Sequence, residues 1–453
     1  MLQKTEPITA RASAAGRGGI GIVRLSGQPG DVLGIAKRML PNLTLRPRHA
    51  HLSSLTESSG EVIDQTIILY FPAPHSYTGE AVLEFQSHGG QVVIERIIHR
   101  ILEAGEAYGV RLARPGEFTE RAFLNGRMDL SQAEAVADLI DAGSVASARA
   151  AARSLQGAFS QKIKKLNEDL LSLRTYVEAT LDFPEEEIDF IEQGHIRERV
   201  AALLDELEQI HQRAMRGKTL RDGLSVVLVG EPNVGKSSLM NALAGEDISI
   251  VTDVAGTTRD KIECEVTLDG LLVKITDTAG LRDTQDVVEA IGVDRAKKAV
   301  ENADVVLILK DARETETEQN PMEFLKGHLR QGVDFISVFN KIDLNPNQKD
   351  REAGAFYISA KTGQGLDKLV AKLKSLAGAE SAEGDFLART RHLECLARAK
   401  QSLEKVSDGL HDMNLEIVAE EMRLSGIALG EIVGQTLPDD LLGKIFSSFC
   451  IGK

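Results

Sequence analysis

Apolar and polar positions change their spacing three times along the chain. In the first 120 residues short runs read as strands, GIVRLSG at 21–27, TIILYFP at 66–72 and AVLEFQ at 81–86, with helical spacing between 91 and 104. That stretch reads as an α+β unit. From about 128 to 213 turn residues thin out and Ala, Leu, Glu and Arg dominate, and Ser131 with Glu134 predicts a capping box opening a long helix. The segment DFPEEEIDF at 182–190 interrupts this pattern with Pro184 and five acids among nine residues, and reads as a solvated turn rather than an ion site.

Between about 217 and 380 β-branched runs alternate with helical patterns, as a doubly wound parallel sheet requires: SVVLVG, LLVKIT, DVVLIL, DFISVF and AFYIS. A Gly, Ala, Ser and Glu-rich link at 377–385 leads back to helical sequence. Helical material on both sides of the α/β unit predicts an insertion. The expected fold is multidomain α/β and α+β, with an α+β domain at 1–120, a discontinuous helical domain at 121–216 and 385–453, and an α/β domain at 217–384.

The length of 453 residues suits about three such domains. Apolar residues at 42% and charged residues at 27% leave no room for a largely disordered chain. No apolar run approaches the roughly 18–20 residues that cross a bilayer, and MLQKTEPITA lacks the hydrophobic stretch of a secretory signal. Cys264, Cys395 and Cys450 are odd in number and far apart, which excludes a disulfide framework or a CxxC knuckle. A cytoplasmic protein with no membrane attachment is expected. The net charge of −15 opposes general attraction to nucleic acid, so any RNA contact must be a local basic patch. Absent Trp and 4% aromatics argue against a face of stacked rings.

The chemistry gathers at strand ends. SVVLV runs into Gly230, and GEPNVGKSS places Gly230, Gly235, Lys236 and Ser237 at P-loop spacing before the helical SSLMNALAG. Backbone N–H groups and a helix N-terminus can surround phosphates there, Lys236 can neutralise the outer ones, and Ser237 can bind magnesium. LLVKIT ends in DTAG, where Asp277 can hold the magnesium shell through water and the Gly280 N–H can reach a γ-phosphate. DFISVF ends in NKID, whose Asp343 can accept from N1–H and the exocyclic amine of guanine, a pattern adenine lacks. AFYI ends in SAK, where backbone N–H can read guanine O6. Four motifs in order beyond strand carboxyl ends define a GTPase domain with a Ras-like doubly wound sheet.

The segment IVTDVAGTTRD at 250–260 suits folding over the γ-phosphate, and Thr258 is the candidate second magnesium hydroxyl. The expected GTP-binding set is Asn233, Val234, Gly235, Lys236, Ser237 and Ser238; Thr252, Asp253, Val254, Ala255, Gly256, Thr257 and Thr258; Asp277, Thr278, Ala279 and Gly280; Asn340, Lys341 and Asp343; and Ser359, Ala360 and Lys361. Leu281 follows DTAG where Ras-like enzymes place a water-orienting Gln, and leucine cannot align water. Arg259 and Arg282 are nearby but neither is an obvious catalytic finger.

The whole chain resembles the MnmE (TrmE) family of tRNA wobble-uridine modification GTPases. The specific parts are GRGGIGIVRLSG, RPGEFTERAFLNGRMDLSQAEAVADLIDA, GTTRD and the terminal DDLLGKIFSSFCIGK. The resemblance implies an N-terminal domain that dimerises and binds 5-formyl- or 5,10-methylene-tetrahydrofolate, and G domains that meet across a homodimer. It implies potassium in the role of an arginine finger, held by Asn233, Thr252, Val254 and the Thr257 region, with magnesium on Ser237 and Thr258. Glu289 falls at the family's water-orienting carboxylate, although from the residues alone it is a surface helix acid. Folate contacts carry over to Arg24, Glu84, Arg127 and Lys453. The partner implied is MnmG, bringing FAD in a heterotetramer or larger complex, with tRNA as substrate.

Cys450 divides the two readings. In IFSSFCIGK the spacing of Ile445, Phe446 and Phe449 favours a buried, inert cysteine. Its place three residues from Lys453, a folate contact implied by the resemblance, raises a role near the one-carbon chemistry, as nucleophile or acid. Gly16, Gly18 and Gly21 match GxGxxG spacing, but an apolar strand follows where a dinucleotide site needs a helix. His49 and His51 lack further metal ligands nearby and read as loop histidines. Arg111, Arg114, Arg121 and Arg127 form either an RNA-facing patch or a set of salt bridges and folate contacts. The competing function is a GTP switch of the Era or Der kind, which controls ribosome-assembly affinity without covalent chemistry.

Overall fold

Alternation of apolar and polar residues builds β1 (Ile8–Arg11) and β2 (Gly18–Gly27), followed by α1 (Pro29–Met39), β3 (His51–Thr56), β4 (Val62–Phe71), β5 (Ala81–Gly89), α2 (Gln91–Gly105) and β6 (Arg111–Leu112). The six strands form one sheet in the order β3-β4-β5-β2-β1-β6. All neighbours run antiparallel except β1 and β6. Helix α1 opens on Pro29, whose fixed φ suits a first turn, and closes on Lys37 and Arg38, which complement the helix dipole. Val32, Ile35 and Met39 of α1 and Ile94, Ile97 and Ile101 of α2 cluster with Val23, Leu25, Leu83 and Phe85 of the sheet. Each such side chain contributes about 1.5–3 kcal/mol on burial, so this face anchors the sheet. Strand pairing sets Arg24 directly across from Glu84.

Helices α3 (Glu117–Leu124), α4 (Leu130–Ile140), α5 (Val145–Leu155) and α6 (Ala158–Asp182) follow. The capping box expected from Ser131 and Glu134 sits two residues earlier. Asp129 Oδ1 accepts from the Gln132 N–H at 3.1 Å, and the Asp129 N–H donates to Gln132 Oε1 at 3.0 Å. Asp129 therefore caps α4, leaving Glu134 buried at 2% exposure. The helix it opens is short, 11 residues, whereas α6, further along, has 25.

After α7 (Ile196–Asp222) come β7 (Leu224–Gly230), α8 (Lys236–Ala244), β8 (Glu263–Leu268), β9 (Leu271–Asp277), β10 (Val305–Asp311), β11 (Asp334–Asn340), β12 (Phe356–Tyr357) and α9 (Leu366–Leu376). They form a second sheet in the order β12-β11-β10-β7-β9-β8. It is parallel except for β8, which pairs antiparallel with β9 at one edge. Val305 to Leu309 are all buried, the unbroken apolar run expected of a central strand covered on both faces. The chain ends in α10 (Thr390–His411), α11 (Leu415–Val433) and α12 (Asp439–Ser447).

This computed structural model describes residues 6–182, 195–245, 263–268, 270–277, 301, 303–313, 333–345, 352–377, 386–411, 415–435, 438–450 and 452. Two compact units emerge: one of Met1–Ala137, Ile163–Glu168 and Gly426–Lys453, the other of Asp138–Lys162 and Asp169–Ser425. Within the second, Asp138 is buried and accepts from Arg221 Nε at 2.8 Å and Arg389 at 2.6 Å, so chain on either side of the α/β sheet meets at one carboxylate. Phe159 stacks on Phe386 with ring centroids 4.5 Å apart. Among the described residues no helix is long and apolar enough to cross a membrane.

Candidate functional site

The second sheet presents its chemistry at the carboxyl ends of β7, β9, β10 and β11. β7 ends at Gly230 and α8 begins at Lys236, so the intervening loop must turn sharply. Asn233 and Gly235 supply the turn with left-handed φ values of 64° and 99°. At Gly235 a Cβ would also run into the side-chain amide of Asn340, so this glycine is required twice over. Lys236 is 5% exposed, and its Nζ donates to the carbonyls of Gly230 at 2.8 Å and Glu231 at 2.9 Å. A loop folded around its own ammonium gives phosphate oxygens a concentrated positive cradle.

Ser237 Oγ donates to Asp277 Oδ2 at 3.5 Å, which sets two oxygens beside the cradle. Such oxygens suit a hard divalent cation. Across the sheet, Asn340 ties two loops together: its Nδ2 donates to the Val234 carbonyl at 2.9 Å, and its Oδ1 accepts from the Ala360 N–H at 3.0 Å. Asp343 Oδ1 accepts from Ser359 Oγ at 2.7 Å, so this carboxylate is oriented by the SAK loop. Lys361 lies on the same loop and Ser238 in the first turn of α8. Sequence reasoning missed Asp311. It closes β10, is 3% exposed, and holds Lys341 Nζ at 2.9 Å. A carboxylate at the end of DVVLILKD, level with the other strand ends, was the available signal.

The other unit carries a second set of candidates. Arg24 donates to Glu84 Oε1 at 2.9 Å and to the Gly452 carbonyl at 3.5 Å. Its guanidinium lies 5.3 Å from the Tyr77 ring centroid and 5.6 Å from that of Phe118. Burial pushes the Tyr77 hydroxyl up in pKa, against a hydrogen bond with Thr119 and the nearby charge of Arg24. Tyr77 is therefore a neutral platform. Two residues on, Gly79 abuts Arg127, where an added Cβ would come within 3.2 Å of Arg127 Cγ. Arg24 and Arg127 thus flank one short segment, 77–79. Adjacent donors and a carboxylate acceptor fit a ligand carrying both carboxylates and an amine-bearing ring.

The arginines of the first junction divide. Arg111 and Arg121 close on Glu117, Arg114 reaches Glu120, and Arg121 also pairs with Glu80 at 3.0 Å. Those three make the salt-bridge set, while the Arg127 side chain is exposed and has no hydrogen bond to a described residue. Cys450 is exposed, with its carbonyl accepting from the Gly116 N–H at 3.3 Å, whereas Phe446 and Phe449 take the buried positions. This overturns the expectation from helical spacing. The α12 helix ends at Ser447, so residue 450 no longer follows the helical period. His51 Nε2 accepts from the Arg46 N–H at 2.9 Å, as a loop histidine does. Among the described residues no cluster of three or more His, Cys, Asp or Glu is placed to hold a metal ion.

Several candidates lie outside the described residues: Thr252, Asp253, Val254, Ala255, Gly256, Thr257, Thr258, Thr278, Ala279, Gly280, Glu289 and Lys453, together with Arg259, Leu281 and Arg282.

A mostly parallel sheet whose strand ends carry a glycine-turned loop around a buried lysine, an aspartate beside its serine, and an NKID loop tied to an SAK loop defines a P-loop GTPase. The family described as "MnmE helical domain" matches residues 130–450, and that described as "GTP-binding protein TrmE N-terminus" matches residues 7–127. The "tRNA modification GTPase MnmE" of Bordetella petrii is 53% identical over 450 residues, covering 99% of this chain and 98% of its own. That of Burkholderia ambifaria is 49% identical over 461 residues, covering 99% of each. The chain belongs to the MnmE (TrmE) family and is a GTP hydrolase of tRNA modification. Among solved structures, the G domain of the T. maritima FeoB iron transporter is 28% identical over 34% of this chain and 98% of its own, with a TM-score of 0.26. Aquifex aeolicus Era is 27% identical over 39% of this chain and 65% of its own, with the same TM-score.

Proposed function

We propose that the protein is a potassium-dependent GTPase that, with an FAD-carrying MnmG partner, adds an aminomethyl or carboxymethylaminomethyl group to C5 of the wobble uridine of certain tRNAs. A tetrahydrofolate supplies the one-carbon unit, and pairing of two G domains in a homodimer gates hydrolysis. In this reading residues 1–120 bind folate and dimerise, 121–216 with 385–453 form the helical part, and 217–384 hydrolyse GTP in the cytoplasm. MnmG joins in a heterotetramer or larger complex.

One observation carries it. Arg24, Glu84 and the carbonyl of Gly452 converge in one unit while the nucleotide motifs occupy the other, so the chain holds two distinct ligand chemistries. A pure GTP switch needs only one. Lys236 binds the outer phosphates, Ser237 and Asp277 serve the magnesium side, and Asp343 with Ser359 selects guanine. Asn233 is exposed at the loop's turn, and its side chain makes no hydrogen bond to a described residue, which fits a ligand for a monovalent cation. Bound there, potassium would offset charge building on the phosphates as the leaving group departs. Glu289 orients the attacking water. Arg24, Glu84, Arg127 and Lys453 hold the folate, with Cys450 beside it as nucleophile or acid.

The test is the hydrolysis rate in potassium against sodium at several protein concentrations, with binding of a labelled formyl- or methylene-folate alongside. Expected are a rate that needs potassium and rises per molecule with concentration, and saturable folate binding. Turnover indifferent to both salt and dilution would end the gating model, and absent folate binding would favour the switch.

A further inference from the structure

Asp311 belongs to none of the nucleotide motifs, yet three groups close on it. Lys341 Nζ donates to its Oδ2 at 2.9 Å. Arg313 donates through Nε to Oδ1 at 3.0 Å, through its second guanidinium nitrogen to Oδ2 at 2.7 Å, and through its backbone N–H to Oδ1 at 3.0 Å. The Arg313 hydrogen bonds, and then those of Lys341, outweigh burial and hold the carboxyl well below the usual carboxylate range. Asp311 is an anion at any working pH.

The same Lys341 Nζ donates to the carbonyl of Asn233. Lys341 and its neighbour Asn340 thus grip consecutive P-loop carbonyls, Asn233 and Val234, from one loop. The two grips differ in kind. Asn340 is a buried amide, also fixed by Ala360, whereas Lys341 is an ammonium on a flexible four-carbon stem that water would otherwise solvate. A fixed carboxylate is what keeps such a cation aimed at a carbonyl.

We propose that Asp311 is a positioning residue which, through Lys341, locks the guanine-reading loop to the P-loop at Asn233, so that base recognition and cation binding share one fastening. The cation half rests on the reading of Asn233 given above. The competing account makes Asp311 a local clasp for Arg313 alone.

The experiment uses the full chain with Asp311→Asn, Asp311→Glu and Arg313→Ala, reading GDP affinity with a fluorescent guanine nucleotide and the potassium concentration for half-maximal hydrolysis. Losing one charge-assisted hydrogen bond should weaken GDP binding about tenfold in Asp311→Asn. Half-saturation by potassium should rise about threefold or more, while kcat at saturating GTP and potassium stays within about twofold, because the lock acts on binding rather than on the reacting atoms. Asp311→Glu should fall between wild type and Asp311→Asn, and it decides alone if the latter does not fold. Arg313→Ala should stay within about twofold on both readouts. Unchanged GDP affinity in Asp311→Asn, a loss confined to kcat, or an Arg313→Ala variant that reproduces the defect would each overturn the proposal. If wild type shows no potassium response, the cation reading fails by itself, and GDP affinity still decides the role of Asp311.

Discussion

Glu117 offers a measurement of what holds the candidate folate face together. It lies in the first turn of α3, 2% exposed, one residue before the Phe118 ring that faces Arg24. Burial alone would raise its pKa. Against this, Arg111 donates to both its oxygens at 2.6 and 2.8 Å, the Arg114 N–H donates at 2.9 Å, and Arg121 donates at 3.1 Å. The donors win, and the carboxyl falls from 4.5 to about 2. At about 1.4 kcal/mol per pKa unit, that fall amounts to roughly 3 kcal/mol of folded-state stabilisation at neutral pH. The sign follows from the depressed folded value: the contribution is complete above the unfolded pKa near 4.5 and drains away as pH drops toward 2. Glu117→Gln removes it at every pH. Hydrogen exchange of the 117–124 amides, corrected for intrinsic rates, should show the variant about 100-fold less protected at pH 7, the equivalent of roughly 3 kcal/mol. The gap should close as wild type is acidified toward pH 2. A variant as protected as wild type at pH 7, or one whose protection declines with acid as steeply as wild type's, would refute the reasoning.

Two further outcomes test single residues. Asp343→Asn should transfer preference from GTP toward xanthosine triphosphate, read by competition binding, because the amide reverses one hydrogen-bond polarity; unchanged selectivity refutes its assignment as base reader. Cys450→Ser should abolish tRNA modification while leaving GTP hydrolysis and melting temperature intact, whereas full modification would demote the exposed thiol to a bystander.

What the sequence revealed most clearly was local chemistry in a fixed order. Strand β7, the glycine-rich turn and α8 are adjacent in the chain, so GEPNVGKSS could be read as a phosphate cradle without knowing anything distant. Asp277, Asn340 and Ser359 were legible for the same reason, each standing where an apolar run stops. Asp311 was hidden because Lys341, which it holds, and Asn233, which Lys341 reaches, come from strand ends other than its own, and a lone carboxylate after an apolar run has no signature. The cap of α4 was misplaced by two residues because Ser131 and Asp129 both suit the role, and only the backbone path chooses between them. At Cys450 the helical spacing of Ile445, Phe446 and Phe449 was real but ended at Ser447. The meeting of Gly452 with Arg24 joins positions far apart in the chain, and no periodicity carries that information.

That meeting also sets the order in which the molecule can be completed on the ribosome. Phe446 and Phe449 fill the cluster around Leu130 and Ala133, and Gly452 sits hard against the Arg11 carbonyl, where any Cβ would collide. Residues 138–425 are all translated between the first sheet and these closing pieces. At about 5–20 residues per second, the nascent sheet waits on the order of tens of seconds for its last parts. The sheet of residues 8–112 is therefore completed only after the intervening residues have been made.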